Sequence, residues 1–510
     1  MRYGFIIDQR KCIGCHACTV ACKSENSVPL GNFRTWVKYI ESGHFPNTQR
    51  HFAVLRCNHC DNAPCVRICP VTALYTRTDG IVDFDAGRCI GCKACMQACP
   101  YDALYINPYT NTAEKCNYCA HRVEVGLEPA CVIVCPEQAI VAGDLDNPNT
   151  PITQLLQRER AMVRKPEQGT QPKLYYLGSH KNALRPELQQ RPPIYMWSQP
   201  GAAHGAAIDL QQFIAEAQEK SIRTAYDVPH ERPWGWRVYS YLWTKSIAAG
   251  TFLLPAAMFA WSETKEMQAA LQIGTTISLI FQMLTAILLV VDLKRPDRFL
   301  NILLKPQWRS WLAIGAYILV FFTGVSGLCW LALFTGYIQV AYWLALPGIL
   351  LAIMAAIYSG FLFAQAEGRD FWQSRLTTPH LAAQALVAGA ATFGLAAPLL
   401  PTLPIGYLSI LLPLGLIVHI TIMLAEVLSH SPTPSKRQLG DAARACALLT
   451  RGPYRSWFWG GAVTAGALLP AALALLAAPA SITIASLVAL AGLLLYEALW
   501  IKVGQAIPLS

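Results

Sequence analysis

Sixteen of the chain's 18 cysteines lie between Cys12 and Cys135, and they fall into four groups of four. The groups are Cys12, Cys15, Cys18 and Cys22; Cys57, Cys60, Cys65 and Cys69; Cys89, Cys92, Cys95 and Cys99; and Cys116, Cys119, Cys131 and Cys135. The first and third have the C-x2-C-x2-C-x3-C spacing of bacterial ferredoxins, and Pro70, Pro100 and Pro136 directly follow the last cysteine of groups two, three and four. Three closely spaced thiolates wrap three corners of one cubane, whereas a fourth, set off at the start of a helix, points to a second one. The groups therefore work in pairs. Zinc and disulfides are the competing uses. Zinc knuckles use two separated C-x2-C pairs, often with histidine, and do not ask for three such cysteines followed by C-P. Disulfides need an oxidising compartment, and the opening MRYGFIIDQRKCIGC contains neither an apolar signal core nor a twin-arginine pair. The spacing predicts four [4Fe-4S] clusters.

Downstream the text changes. Of 510 residues, 54% are hydrophobic and only 14% charged, which is too apolar for a soluble globular chain. Eight segments long enough to span a bilayer are expected at roughly 240–261, 268–291, 311–334, 339–363, 380–400, 405–428, 456–478 and 482–503. Residues 143–235 are rich in Pro, Gln, Asn and charge and read as an extended connector with one short helix near IDLQQFIAEAQEK. The net charge of +10 suits nucleic-acid binding or basic cytoplasmic loops, and its location selects the second. Lys294, Arg295, Arg298, Lys305 and Arg309 follow helix two, Arg369 and Arg375 follow helix four, and Lys436, Arg437, Arg444, Arg451 and Arg455 follow helix six. The loops after helices three, five and seven carry no Lys or Arg, and the one after helix one carries only Lys265. The positive-inside rule then puts both termini and the cysteine domain in the cytoplasm of a multi-pass protein of a bacterial inner membrane. A periplasmic cysteine domain would need export of a prefolded metalloprotein with no signal of its own.

Both halves resemble known families. The four-group order, with its relaxed CNHCDNAPC, its widened fourth group and KLYYLG at 173–178, resembles the electron-transfer subunit of the dimethyl sulfoxide reductase, polysulfide reductase and formate dehydrogenase group of molybdenum enzymes. That resemblance implies nested units, groups one and four enclosing two and three. It implies one cluster on Cys12, Cys15, Cys18 and Cys135, a second on Cys116, Cys119, Cys131 and Cys22, a third on Cys69, Cys89, Cys92 and Cys95, and a fourth on Cys57, Cys60, Cys65 and Cys99. The first is expected at a catalytic partner and the fourth at the membrane. DLKRPDRFLNILLKPQWRSW, YSGFLFAQAEGRDFW, FWGGAVTAGALLP and KVGQAIPLS resemble the eight-helix, quinone-reactive NrfD-type anchor of polysulfide reductases, with Lys245 standing where that family more usually has a small or apolar residue. The expected fold class is an α+β N-terminal domain of two nested bacterial ferredoxin-like units, then an all-α eight-helix transmembrane bundle. The expected division is 1–180 for the clusters, 181–235 for a linker and 236–510 for the anchor.

Polar residues inside spans cost free energy unless paired or wet. In the expected topology Lys245, Tyr317, Tyr358, Gln384, His419, Glu426 and Glu497 all fall toward the cytoplasmic side. Snorkelling ends and an aromatic belt account for Lys245 and Glu426, but less well for His419 and Glu497, which sit inside apolar stretches. A quinone headgroup needs two hydrogen-bond partners and a route for two protons, which His with Tyr or a carboxylate supplies. Lys245, Tyr317, Tyr358, His419, Glu426 and Glu497 are therefore candidates for quinone binding or proton relay. No heme is expected, since His419 is the only histidine well inside a span, with His380 and His430 at helix ends.

The chain thus reads as a fused wire and anchor that exchanges electrons between the quinone pool and a separate molybdopterin (Mo or W) subunit that holds the substrate site, with membrane lipid and no nucleic acid among its partners. Sulfite oxidation is one expected use. A reductase of polysulfide, S-oxide or other oxyanion is the alternative, and a non-catalytic ferredoxin module of a larger energy-converting complex is a third.

Overall fold

The structure, a computed structural model, describes residues 1–44, 46–189, 222–397, 405–429 and 440–510. The short helix expected near IDLQQFIAEAQEK, the loop PTLP, His430, Lys436 and Arg437 lie outside the described residues.

In the N-terminal part, β1 (Tyr3–Asp8) pairs antiparallel with β8 (Ile140–Asp144) and parallel with β9 (Leu174–Leu177). This small sheet ties the stretch before group one to the stretch after group four. Groups two and three therefore lie inside it, each beside its own hairpin: β4 (Leu74–Thr76) with β5 (Val82–Phe84), and β6 (Leu104–Ile106) with β7 (Ala113–Lys115). Helices α1 (Ala17–Glu25), α2 (Pro64–Ile68), α3 (Ala94–Ala98), α4 (Ala120–Val123) and α5 (Ala130–Ile133) carry or adjoin the later cysteines of each group. A second sheet is formed by the long hairpin β2 (Thr35–His44) and β3 (Asn47–Arg56), extended by β10 (Ile222–Tyr226) on the far side of β2.

The connector differs from the expectation of an extended linker. Ile222 and Thr224 alternate with exposed Arg223, the period of a half-buried strand, and this pattern seats β10 on the sheet of the cysteine domain. Lys181–Leu184 adds a helical turn there, with Ala183 and Leu184 buried.

The second part is a helical bundle. Its helices are α6 (Trp236–Trp261), α7 (Lys265–Asp292), α8 (Trp311–Phe334), α9 (Ile338–Ala364), α10 (Thr377–Ala396), α11 (Ile405–Ser429), α12 (Asp441–Thr450), α13 (Trp457–Leu475) and α14 (Pro479–Gly504). Among the described residues seven are long and apolar enough to cross a membrane, against eight expected. The remaining expected span is α10, a 20-residue helix whose Ala, Gly, Thr, His and Gln make it less apolar, and it is packed among α6, α9, α11 and α14. Gly250 of α6 and Gly389 of α10 are the reason those two helices touch backbone to backbone, because a Cβ on Gly250 would overlap the Ala385 carbonyl.

Candidate iron-sulfur centres and buried polar sites in the bundle

Each cysteine group folds the same way. The residue before the second cysteine takes a left-handed backbone in all four: Gly14 at φ 72°, His59 at 44°, Gly91 at 68° and Tyr118 at 63°. This turn lets successive thiols face inward. Backbone N–H groups aim at the sulfurs as well. Gly91 donates to Cys89 at 3.4 Å, His59 to Cys57 at 3.5 Å, Ala73 to Cys69 at 3.2 Å and Ala139 to Cys135 at 3.2 Å. Such donors favour negatively charged sulfur.

The cysteines meet in four sets. Cys12, Cys15, Cys18 and Cys135 line one cavity, and Cys22, Cys116, Cys119 and Cys131 line a second. Cys57, Cys60, Cys65 and Cys99 are mutual neighbours, as are Cys69, Cys89, Cys92 and Cys95. These are the sets the resemblance implies. Among the described residues no three His, Cys, Asp or Glu side chains are placed to hold a single metal ion. Zinc would draw its four thiolates to about 3.8 Å of one another.

The sets form a row. Cys18 of the first is within electrostatic range of Cys131 of the second, Cys116 of the second of Cys57, and Cys65 of Cys95. Cys15 is exposed at one end. At the other end the bundle clasps the loop Cys89–Cys95: Lys294 and Arg295 N–H donate to Gly91 and Ile90 carbonyls, and Arg298 donates to Ala86 and Cys89 carbonyls at 2.6 and 3.2 Å. Gln307 and Ser310 donate to the Val66 and Ile68 carbonyls at 2.8 and 2.7 Å. The expectation that the Cys57, Cys60, Cys65 and Cys99 set ends the row on the anchor side is therefore corrected: the Cys69, Cys89, Cys92 and Cys95 set ends it, because the segment after α7 wraps the third group's loop. The other set also meets the bundle, where Gly368 abuts the Cys99 carbonyl and Arg369 donates to Gln97 at 2.9 Å.

Inside the bundle the candidate residues divide between two sites. In the first, Lys245 Nζ donates to the Ala356 carbonyl and to Ser359 Oγ, both at 2.8 Å, and lies 4.8 Å from the Tyr358 ring centroid. Lys245 is 1% exposed, so it does not snorkel. Glu497 is its nearest acid, yet no ion pair closes between them, and among the described residues Glu497 Oε2 has no hydrogen-bond partner. Tyr241, one turn before Lys245, neighbours Tyr358, Ser359, Asp292 and Glu497. In the second site, His380 Nε2 and His419 Nδ1 are 2.9 Å apart, and His380 Nδ1 is 3.4 Å from Glu426. Glu426 accepts from Thr377 at 3.2 Å and from Tyr496 at 3.5 Å.

Tyr241, Ser359, His380 and Tyr496 are not singled out by the sequence. His380 sits near the start of α10 but is buried, and its contact with His419 and Glu426 follows from α10 and α11 being neighbours with both ends at one depth. That matched depth was the available signal. Tyr317 joins neither site; its hydroxyl donates to the Leu303 carbonyl at 2.6 Å and its ring packs on Trp308. Gln384 is buried with its Oε1 unpartnered among the described residues, and Cys329 and Cys446, outside the four groups, are both buried.

Comparison with known proteins decides the family. The model described as "Polysulphide reductase, NrfD" matches residues 224–508, more than half of the chain. This protein belongs to the polysulphide reductase NrfD family. A second model, a 4Fe-4S dicluster domain, matches residues 48–145. One subunit of the tetrathionate reductase of Salmonella typhimurium is 45% identical over 202 residues, 39% of this chain and 80% of its own length. A putative dimethyl sulfoxide reductase iron-sulfur subunit of Halobacterium salinarum is 36% identical over 259 residues, 45% of this chain and 95% of its own. One chain of the polysulfide reductase of Wolinella succinogenes is 39% identical over 186 residues, 36% of this chain and 97% of its own. This NrfD protein is thus a membrane protein with an iron-sulfur electron-transfer part in the same chain. DLKRPDRF, AEGRDF and KVGQAIPLS, the stretches that resemble the family, form the docking surface: Asp292 pairs with Lys93, Arg369 with Gln97, and Gln505 with Gln97 at 2.5 Å.

Proposed function

We propose that this NrfD-family chain carries electrons between quinone in the bundle and a molybdopterin (Mo or W) subunit docked at the Cys15 end, through four [4Fe-4S] clusters on the sixteen cysteines. The observation that carries this reading is the row of four cysteine sets running from exposed Cys15 to the clasped Cys89–Cys95 loop. When bound, each cluster takes up and gives on one electron, whereas a quinone gains two electrons and two protons to become quinol. Exposed Ile13, Val20, Ile133 and Val134 flank the outer set and suit a protein partner. In the bundle, the groups that would receive the headgroup are Lys245 and Glu497, with the hydroxyls of Tyr241 and Ser359 beside them. The Lys245 ammonium donates to one carbonyl oxygen, and Glu497 gives up or receives a proton at the other. Glu426, His380 and His419 form a hydrogen-bonded relay that moves the second proton toward the basic face of the membrane, taken here as the cytoplasmic face of a bacterial inner membrane. The three relatives are named as components of reductases, which favours electrons running from quinol to a sulfur compound or other oxidised substrate rather than from sulfite to the quinone.

Metal analysis of the complex purified through this chain tests the reading. About sixteen non-heme irons per chain, four cubanes of four, are expected together with Mo or W. Iron near eight, or neither Mo nor W, would overturn it.

A further inference from the structure

Arg56 is the last residue of β3, directly before Cys57, and it is wholly buried. Its Nη1 donates to Cys131 Sγ at 3.0 Å, and its guanidinium lies over the Phe5 ring at 4.6 Å from the centroid. It lines the same cavity as Cys22, Cys116, Cys119 and Cys131, and it is within electrostatic range of Cys18 in the outer set. Among the described residues no carboxylate pairs with it, and its Nε and Nη2 have no hydrogen-bond partner. Arg34, another buried cation in the same cavity wall, is by contrast paired: it donates to Glu114 at 2.9 Å and to Asn26 at 2.9 Å.

An isolated guanidinium taken out of water costs several kcal/mol, so a buried arginine without an acid needs another negative partner. Among the described residues, the groups that face the Arg56 charge are the sulfurs of Cys131, Cys116 and Cys18. A cubane on four thiolates carries net negative charge, and one unit more when reduced. A fixed cation, with a donor aimed at a ligand sulfur, therefore stabilises the reduced form more than the oxidised one.

We infer that Arg56 is the fixed counter-charge of the inner end of the first ferredoxin-like unit, raising the reduction potential of the cluster on Cys22, Cys116, Cys119 and Cys131 most, and that of the cluster on Cys12, Cys15, Cys18 and Cys135 less. This rests on the four-cluster reading above. Arg56 acts through the cysteines as a positioning and tuning residue, and it makes the second site of the row an electron sink between the partner and the remaining clusters. The Coulomb term falls with distance, so the cluster clasped by the bundle is unaffected.

The test is a redox titration followed by electron paramagnetic resonance on the full chain in its complex, comparing wild type with Arg56→Gln and Arg56→Lys. Replacement of Cys116 by Ser identifies the signal of the second site. In Arg56→Gln the oxidised-to-reduced ratio of that site, read at its wild-type midpoint, is expected to rise at least roughly tenfold, a downward shift of about 59 mV for one electron. The outer site shifts less and the membrane-side site does not move. Arg56→Lys is expected to restore most of the shift. An unmoved second site in Arg56→Gln, equal shifts in all clusters, or a Lys protein that behaves like the Gln protein would overturn the inference. If Arg56→Gln fails to hold its iron, Arg56→Lys decides alone: retention of all iron with a near-wild-type midpoint supports the charge role, and loss of the second cluster there too means that shape is required and the inference fails. Wild-type iron well below sixteen would instead refute the four-cluster reading.

Discussion

The ammonium of Lys93, the residue between Cys92 and Ala94, stands 2.9 Å from both carboxylate oxygens of Asp292 at the end of α7. One ion pair thus joins the third group's loop to the end of a helix of the bundle, and Asp292 is also among the neighbours of Tyr241. Asp292→Ala would leave a buried ammonium unpaired, a loss of about 3–5 kcal/mol at the junction. Faster hydrogen-deuterium exchange over residues 89–95 and slower cluster reduction by quinol are expected, with chemical reduction of all clusters retained. Unchanged exchange would mean that the backbone clasp alone holds the junction.

Glu497 offers the other test of the first polar site. Glu497→Gln keeps the shape and removes the exchangeable charge. Quinone-linked turnover is expected to fall at least roughly tenfold, a barrier increase of about 1.4 kcal/mol, with cluster content intact. Turnover within a factor of two of wild type would remove Glu497 from the proton route.

His419→Ala breaks the relay at its inner end. All clusters should assemble and accept electrons from the catalytic side, while exchange with quinone slows at least roughly tenfold. His380→Ala should do the same, because His380 is the link between His419 and Glu426. A normal rate in both proteins would leave the pair as packing, and attention would move to Lys245, Tyr358 and Glu497.

His230 makes the junction pH-dependent. Burial opposes its charge, but Asp102 at 3.0 Å and Asp227 outweigh burial and hold the imidazole at about 9, against an ordinary 6.5. The folded state therefore binds this proton more tightly than the unfolded one, so the stabilisation is full below about pH 6.5 and is lost as pH rises through about 9. Thermal unfolding should shift downward across that window, and His230→Gln should flatten the slope. A wild-type profile that is level from pH 6.5 to 9.5 would contradict the assignment.

Cysteine spacing by itself marked the sixteen candidate ligands and their working in pairs, because a cubane accepts only a short, sterically specified loop and the residues are chemically unmistakable; the nesting came from the family resemblance. Hydropathy likewise placed α6 to α9, α11, α13 and α14 within a few residues, since the bilayer demands an apolar length. Which cysteine set ends the row against the bundle was decided only in three dimensions: Lys93 and Asp292 are 199 residues apart, and no local pattern says that the segment after α7 folds back over Ile90 and Gly91. The same holds within the bundle. Lys245, Tyr358, His419, Glu426, Glu497 and Tyr317 look alike in sequence as polar residues in apolar helices, and helix packing alone separated them into a Lys245 and Glu497 site, a His380 and His419 site, and a tyrosine that tethers a loop. The physical reason is that a single helix carries residues on every face, so its partners are chosen by neighbours from distant parts of the chain.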